Sequence, residues 1–173
     1  MLIDMMKAVS LFVLCLCAPP LAAQGITGIA PPVELGVAAD SEGLSVVDRW
    51  RADPGTVFDA AEVDLSDLLY IARPVVIMAQ SPNDPMVSEQ LDLLLSRIDE
   101  LIVRDVILIV DTAPDAESDA RETLRPNGFA LVLMGKDGRV YLRKAVPWDV
   151  RELTRSIDKM PLRQQEIRNG AQE

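Results

Sequence analysis

Five carboxylates stand at positions 1, 5, 7, 9 and 12 of the segment Asp111–Glu122: Asp111, Asp115, Glu117, Asp119 and Glu122. That spacing partly matches an EF-hand loop, in which side-chain oxygens surround a calcium ion. Ala113 replaces the third-position ligand and Ala116 the turn glycine. The flanks read as a strand and a short helix, not two helices. The same acids also suit a solvated loop in which Asp or Ser caps a helix. A second group is positional. Ser81, Asn83 and Asp84 follow one apolar run, and Asp111 and Asp115 follow the next. Ligands of α/β sheets gather beyond the carboxyl ends of the strands. These five residues are therefore candidate binding residues beside the free N–H groups of a helix start. Asp84 and Asp111 are the pair on which a carboxylate enzyme would rest. Ordinary capping and loop polarity call for the same residues. Arg163, with Gln164, Gln165 and Arg168, forms a polar tail that either docks a partner or ends a helix and frays.

Other chemistries fall by elimination. The chain contains no histidine, and its two cysteines, Cys15 and Cys17, lie in an apolar leader. Thiol–disulfide exchange needs a thiolate, a Ser-His-Asp triad needs an imidazole, and zinc sites normally use Cys or His. Ser81 has no lysine near it in sequence to act as a base. Met78, Met86, Met134 and Met160 are spread as core residues are. No glycine-rich phosphate loop follows a strand, and no cofactor is expected. A formal net charge of −10 disfavours nucleic acid and anionic membrane surfaces.

The leader is residues 1–23. Ala8–Ala18 has the length of a signal-peptide apolar region, Pro19-Pro20 ends it, and Leu21-Ala22-Ala23 offers a cleavage site. The run is too short to span a membrane. Cleavage would remove one Asp and one Lys, leaving the charge unchanged, and would leave a periplasmic or secreted chain not inserted in the membrane. Such a chain has no disulfide staple, so burial and hydrogen bonding must hold it.

Residues 24–56 read as a Gly/Pro-rich lead-in, ordered near Trp50, which packs on the domain. The domain spans residues 57–168, and 169–173 reads as a disordered tail. Asp64–Ile71 has a helix cap and a short helical pattern. Val75–Ala79, Val106–Val110 and Phe129–Met134 are apolar runs suited to buried strands. Ser81–Pro85 is a turn in which Asn83 or Asp84 caps the next helix and Pro85 enters its first turn. Val87, Leu91, Leu94, Leu95, Ile98, Leu101 and Ile102 mark one amphipathic helix. A short helix is expected near Glu117–Leu124. Lys136-Asp137-Gly138-Arg139 is a hairpin turn, and Val140–Arg143 is its return strand near the sheet edge. Asp149 precedes a last helix with Val150, Leu153, Ile157 and Met160 on its inner face. Trp148 wedges that helix on the sheet.

The order β-α-β-(α)-β-β-α over residues 64–160 resembles the thioredoxin fold. The expected class is α/β, a thioredoxin-like three-layer sandwich with a mixed central sheet and no redox cysteines. Ser81-Pro82-Asn83-Asp84 stands where thioredoxins carry Cys-x-x-Cys, and Lys136-Asp137-Gly138 resembles their Lys-Asn-Gly hairpin. The thioredoxin cis-proline position falls by count on Ala130. Arg73–Ile77, the Ser81–Pro85 turn, Gly135–Gly138 and Ile157–Gln164 resemble an uncharacterised family of small exported bacterial proteins of a domain-of-unknown-function class. That domain is similar to one in vertebrate secreted sushi-repeat and coiled-coil-domain proteins. The resemblance spans residues 50–168 and implies the fold but no reaction. A non-redox envelope module that binds a protein or peptide is the expected function. A carboxylate enzyme and a calcium-binding interaction module are the alternatives.

Overall fold

Three buried strands organise the molecule. In the computed structural model, which describes residues 43–170, they are β2 (Arg73–Met78), β3 (Val106–Asp111) and β4 (Ala130–Met134). Every residue of the three is buried, because helices cover both faces of the sheet. Side chains alternate between faces with a period of two. Val76, Met78, Ile107, Ile109 and Val132 join one core with Trp50, Leu68 and Leu124. Val75, Ile77, Leu108, Leu131 and Leu133 join the other with Leu94, Leu101, Leu153 and Ile157. Two cores flank one sheet, which makes three layers.

The sheet order is β1-β3-β2-β4-β5. β1 (Val57–Asp59) and β2 each run parallel to β3, whereas β4 is antiparallel to β2 and to the edge strand β5 (Val140–Lys144). The other helices are α1 (Val46–Ala52), α2 (Pro85–Leu95), α3 (Ile98–Ile102), α4 (Asp119–Leu124), α5 (Val150–Asp158) and α6 (Pro161–Gly170). The expected leader 1–23 with Cys15 and Cys17, residues 24–42 of the lead-in and residues 171–173 of the tail lie outside the described residues.

Four local expectations need correction. β1 has three residues, too few to show a pattern, and was not foreseen as a strand. The helix expected over 87–102 is two helices. Ser96 Oγ donates to Leu93 O at 2.8 Å, a back-bond that disturbs the helical ladder. Arg97 then leaves helical geometry at φ −137°, ψ 35°. The pattern over 64–71 is a 3-10 turn, Leu65–Leu68, ended by Leu69 at ψ 129°, with Tyr70 following at φ +59°. Finally, the polar tail after Met160 is α6, which is tied to the sheet rather than frayed: Glu166 accepts two hydrogen bonds from Arg73 Nη2, at 2.8 and 2.9 Å.

Trp50 packs as expected, on α1. It is 7 % exposed, and its indole N–H donates to Val106 O at 3.2 Å. The hairpin is also as expected: Gly138, at φ +75°, donates to Gly135 O at 3.0 Å. Asp149 caps α5, and Val150, Leu153, Ile157 and Met160 are buried.

Candidate functional site

β2 and β3 end side by side. Met78 is in register with Asp111, and Ala79 N donates to Asp111 O at 2.8 Å. The chain leaving β2 turns at once. Ser81 Oγ accepts from Asn83 N at 3.2 Å, and Asp84 N donates to Ser81 O at 3.2 Å. Asp84 then caps α2, its Oδ1 accepting from Met86 N at 2.9 Å, and Pro85 occupies the first helical turn where no N–H is needed. Ser81 and Asp84 are half-buried, and Asn83 is exposed.

Asp111 closes β3 and is 3 % exposed. Its charge is matched from α4. Arg121 Nη2 forms an ion pair with Oδ1, Arg121 Nε donates to Oδ1 at 3.1 Å, and the Ser118 hydroxyl donates to Oδ2. Arg121 Nη2 also donates to Ala79 O at 2.9 Å. Ser118 has a second task as the N-cap of α4, accepting from Arg121 N at 3.1 Å. One helical turn thus delivers a hydroxyl and a guanidinium to a carboxylate that would otherwise be buried alone. The same guanidinium fixes the exit of β2.

The sequence candidates divide accordingly. Ser81, Asn83, Asp84 and Asp111 are brought to one end of the sheet. Asp115 is there too, exposed in the 3-10 turn Pro114–Ala116. The carboxylates of Asp84 and Asp111 face internal donors, not each other. The five acids of the loop do not converge. Asp119 accepts from Leu65 N at 2.9 Å, while Glu117 and Glu122 are exposed. Among the described residues no three His, Cys, Asp or Glu side chains are grouped as a metal site.

Arg163 lies on α6, away from the others, at the end where β2 begins. It contacts Glu166 Oε2 at 3.3 Å and Asp158 Oδ1 at 3.7 Å. Arg104 donates to both Asp158 oxygens at 2.9 Å, which holds that carboxyl below its ordinary range. Burial pushes Glu166 up, but hydrogen bonds from Arg73 and Lys136 outweigh it and hold Glu166 low.

Sequence reasoning took Ser118 only as a helix cap and passed over Arg121, Gln90, Arg73 and Glu166. Ser118 and Arg121 carried a signal, a Ser-x-x-Arg helix start after an acid that ends a strand. Gln90 carried one as well, since it lies on the buried stripe with Val87 and Leu94. Its amide takes Trp148 N at 2.6 Å and donates to Trp148 O at 3.1 Å, fixing the approach to α5.

A mixed five-stranded sheet in this order, with helices on both faces and the turn after β2 opening the helix, is a thioredoxin-like fold. The described residues contain neither cysteine nor histidine. The chain belongs to the family described as Domain of unknown function (DUF4174), whose model matches residues 64–166, more than half of the chain. No curated protein matches it. Two solved structures are similar: thioredoxin peroxidase I of Plasmodium yoelii and a Plasmodium yoelii Prx1a modified at the N-terminus. Both are 18% identical at a TM-score of 0.46 and cover 60% of this chain, with 81% and 82% of their own chains aligned. The strand order assigns the fold without them. No helix among the described residues is long and apolar enough to cross a membrane.

Proposed function

We propose that this chain is a non-redox binding module of the cell envelope. It holds a protein or peptide on the loops beyond β2 and β3. One observation carries this reading. The turn that bears the thiols in thioredoxins is Ser81-Pro82-Asn83-Asp84 here, and the carboxylates beside it, Asp84 and Asp111, are engaged by Met86 N, Ser118 and Arg121. A face whose two innermost carboxylates, Asp84 and Asp111, are already engaged, and whose β2 exit is held by a guanidinium, suits recognition by shape and backbone more than proton transfer. The apolar leader supports the envelope assignment.

Photo-crosslinking in living cells tests it. A benzophenone side chain replaces Asn83 or Asp115, both exposed, with Glu152 on α5 as the control position. The expected result is one adduct of defined mass from positions 83 and 115, absent from 152 and found in the envelope fraction. No adduct, or the same adducts from all three positions, overturns the reading.

A further inference from the structure

The opposite end of the sheet holds an open cleft of about 500 Å³. Trp50, Pro54, Tyr70, Ile71 and Ile102 give it apolar walls, and Arg51 and Asp105 stand on its rim. Four non-glycine residues among those described have positive φ, and two of them, Tyr70 (+59°) and Asp105 (+52°), line this cleft. Such backbone costs energy and persists only where its surroundings enforce it, commonly at ligand clamps. The enforcement is visible. Tyr70 N donates to Lys136 O at 2.7 Å, Arg73 N donates to Asp105 O at 2.7 Å, and Lys136 Nζ reaches Asp105 Oδ2 at 2.7 Å. Tyr70 stands 73 % exposed on the same cleft as the Trp50 indole, whose N–H is already spent on Val106 O.

The charge of the cleft follows from the same contacts. Asp105 is matched by Lys136, with Arg73 3.6 Å away. Asp53 is occupied in its own turn by Gly55 N and Thr56 Oγ1. Among the described residues Arg51 has only Asp48 at 3.6 Å, and both side chains are more than half exposed. Among the described residues the most weakly matched charge at the cleft is thus the Arg51 cation, on a lining that mixes apolar side chains with polar surface, in a chain whose net charge is −10. We infer that the cleft binds a small carboxylate with an aromatic or branched aliphatic body. The body lies between Trp50 and Tyr70, and the carboxylate meets Arg51. This site is separate from the loops beyond β2 and β3 and does not depend on them.

The test is titration of the full chain carrying Trp148→Phe, so that Trp50 is the fluorophore, with 4-phenylbutyrate and its neutral amide. The expected result is a saturable change in Trp50 emission, with the amide weaker by about tenfold, the worth of one charge-assisted hydrogen bond. Arg51→Gln brings the acid down to the level of the amide. Tyr70→Asn keeps the left-handed backbone that asparagine tolerates, so it unfolds no lower than its parent yet loses binding. The indole N–H resonance of Trp50 gives an independent readout. No saturable response, equal affinity for acid and amide, or indifference to Arg51→Gln would each overturn the inference. The crosslinking at Asn83 and Asp115 is unaffected by any of these outcomes.

Discussion

Replacing Arg121 by alanine should be among the most damaging single changes at the candidate site. Asp111 is 3 % exposed and the Arg121 side chain 13 %, so water cannot take over when the guanidinium is removed. The variant leaves a buried carboxylate with only the Ser118 hydroxyl, and Ala79 O without its side-chain donor. Removing one partner of a buried pair costs about 3–5 kcal/mol, whereas exposed pairs are worth about 1 kcal/mol or less. With a urea slope of about 2 kcal/mol per molar, the unfolding midpoint should fall by roughly 2 M. Replacing both members, Asp111→Leu with Arg121→Met, should recover most of the loss, since no charge is then stranded. Urea titration of the single and double variants, followed by circular dichroism, closes the cycle. Faster amide exchange across 80–84 should accompany Arg121→Ala, because the guanidinium holds the β2 exit. A loss below about 1 kcal/mol would refute the reasoning and place Asp111–Arg121 with surface pairs.

Three other outcomes follow from single contacts. Gln90→Leu strands Trp148 N and O and should cost roughly 2–4 kcal/mol in a denaturant titration, below the full sum of about 1–3 kcal/mol per unpaired buried group because both contacts are only partly buried. Glu166 and Asp158 are held below their ordinary values, so their contribution is present above the unfolded carboxyl range and is lost as pH falls through the lowered folded values. Glu166→Gln with Asp158→Asn should therefore flatten the decline in melting temperature below about pH 4.5, and an unchanged acid limb would contradict this. Gly138→Ala puts a Cβ 2.8 Å from Leu69 Cδ2 at φ +75° and should cost about 1–2 kcal/mol by thermal unfolding.

The sequence determined the middle of this protein. Val75–Ala79, Val106–Val110 and Phe129–Met134 are short unbroken apolar runs, the first two rich in β-branched residues, bounded by turn residues, the composition that suits strands buried on both faces. Caps at Asp84 and Asp149 and the Asp-Gly hairpin are written in local chemistry that acts within a few residues, so they were legible. Composition alone set aside thiol and imidazole chemistry for residues 43–170. β1 was not legible, because its three residues are made a strand by pairing with β3. The break at Ser96 depends on a side-chain bond that competes with a pattern still periodic on paper.

Tertiary structure decided the site. Asp111 read as an exposed loop acid because periodicity cannot show that Arg121 folds back over it. Arg163 read as part of a polar tail because nothing local reveals that Glu166, on the same helix, meets Arg73, 93 residues earlier in the chain. Tyr70 and Trp50 are separated in sequence by β1 and two 3-10 turns. They share a cleft only because α1 and the segment before β2 pack at one end of the sheet. Local propensity is set by neighbours along the chain. Ion pairs and clefts are set by neighbours across it, and those exist only once the two cores have closed on the strands.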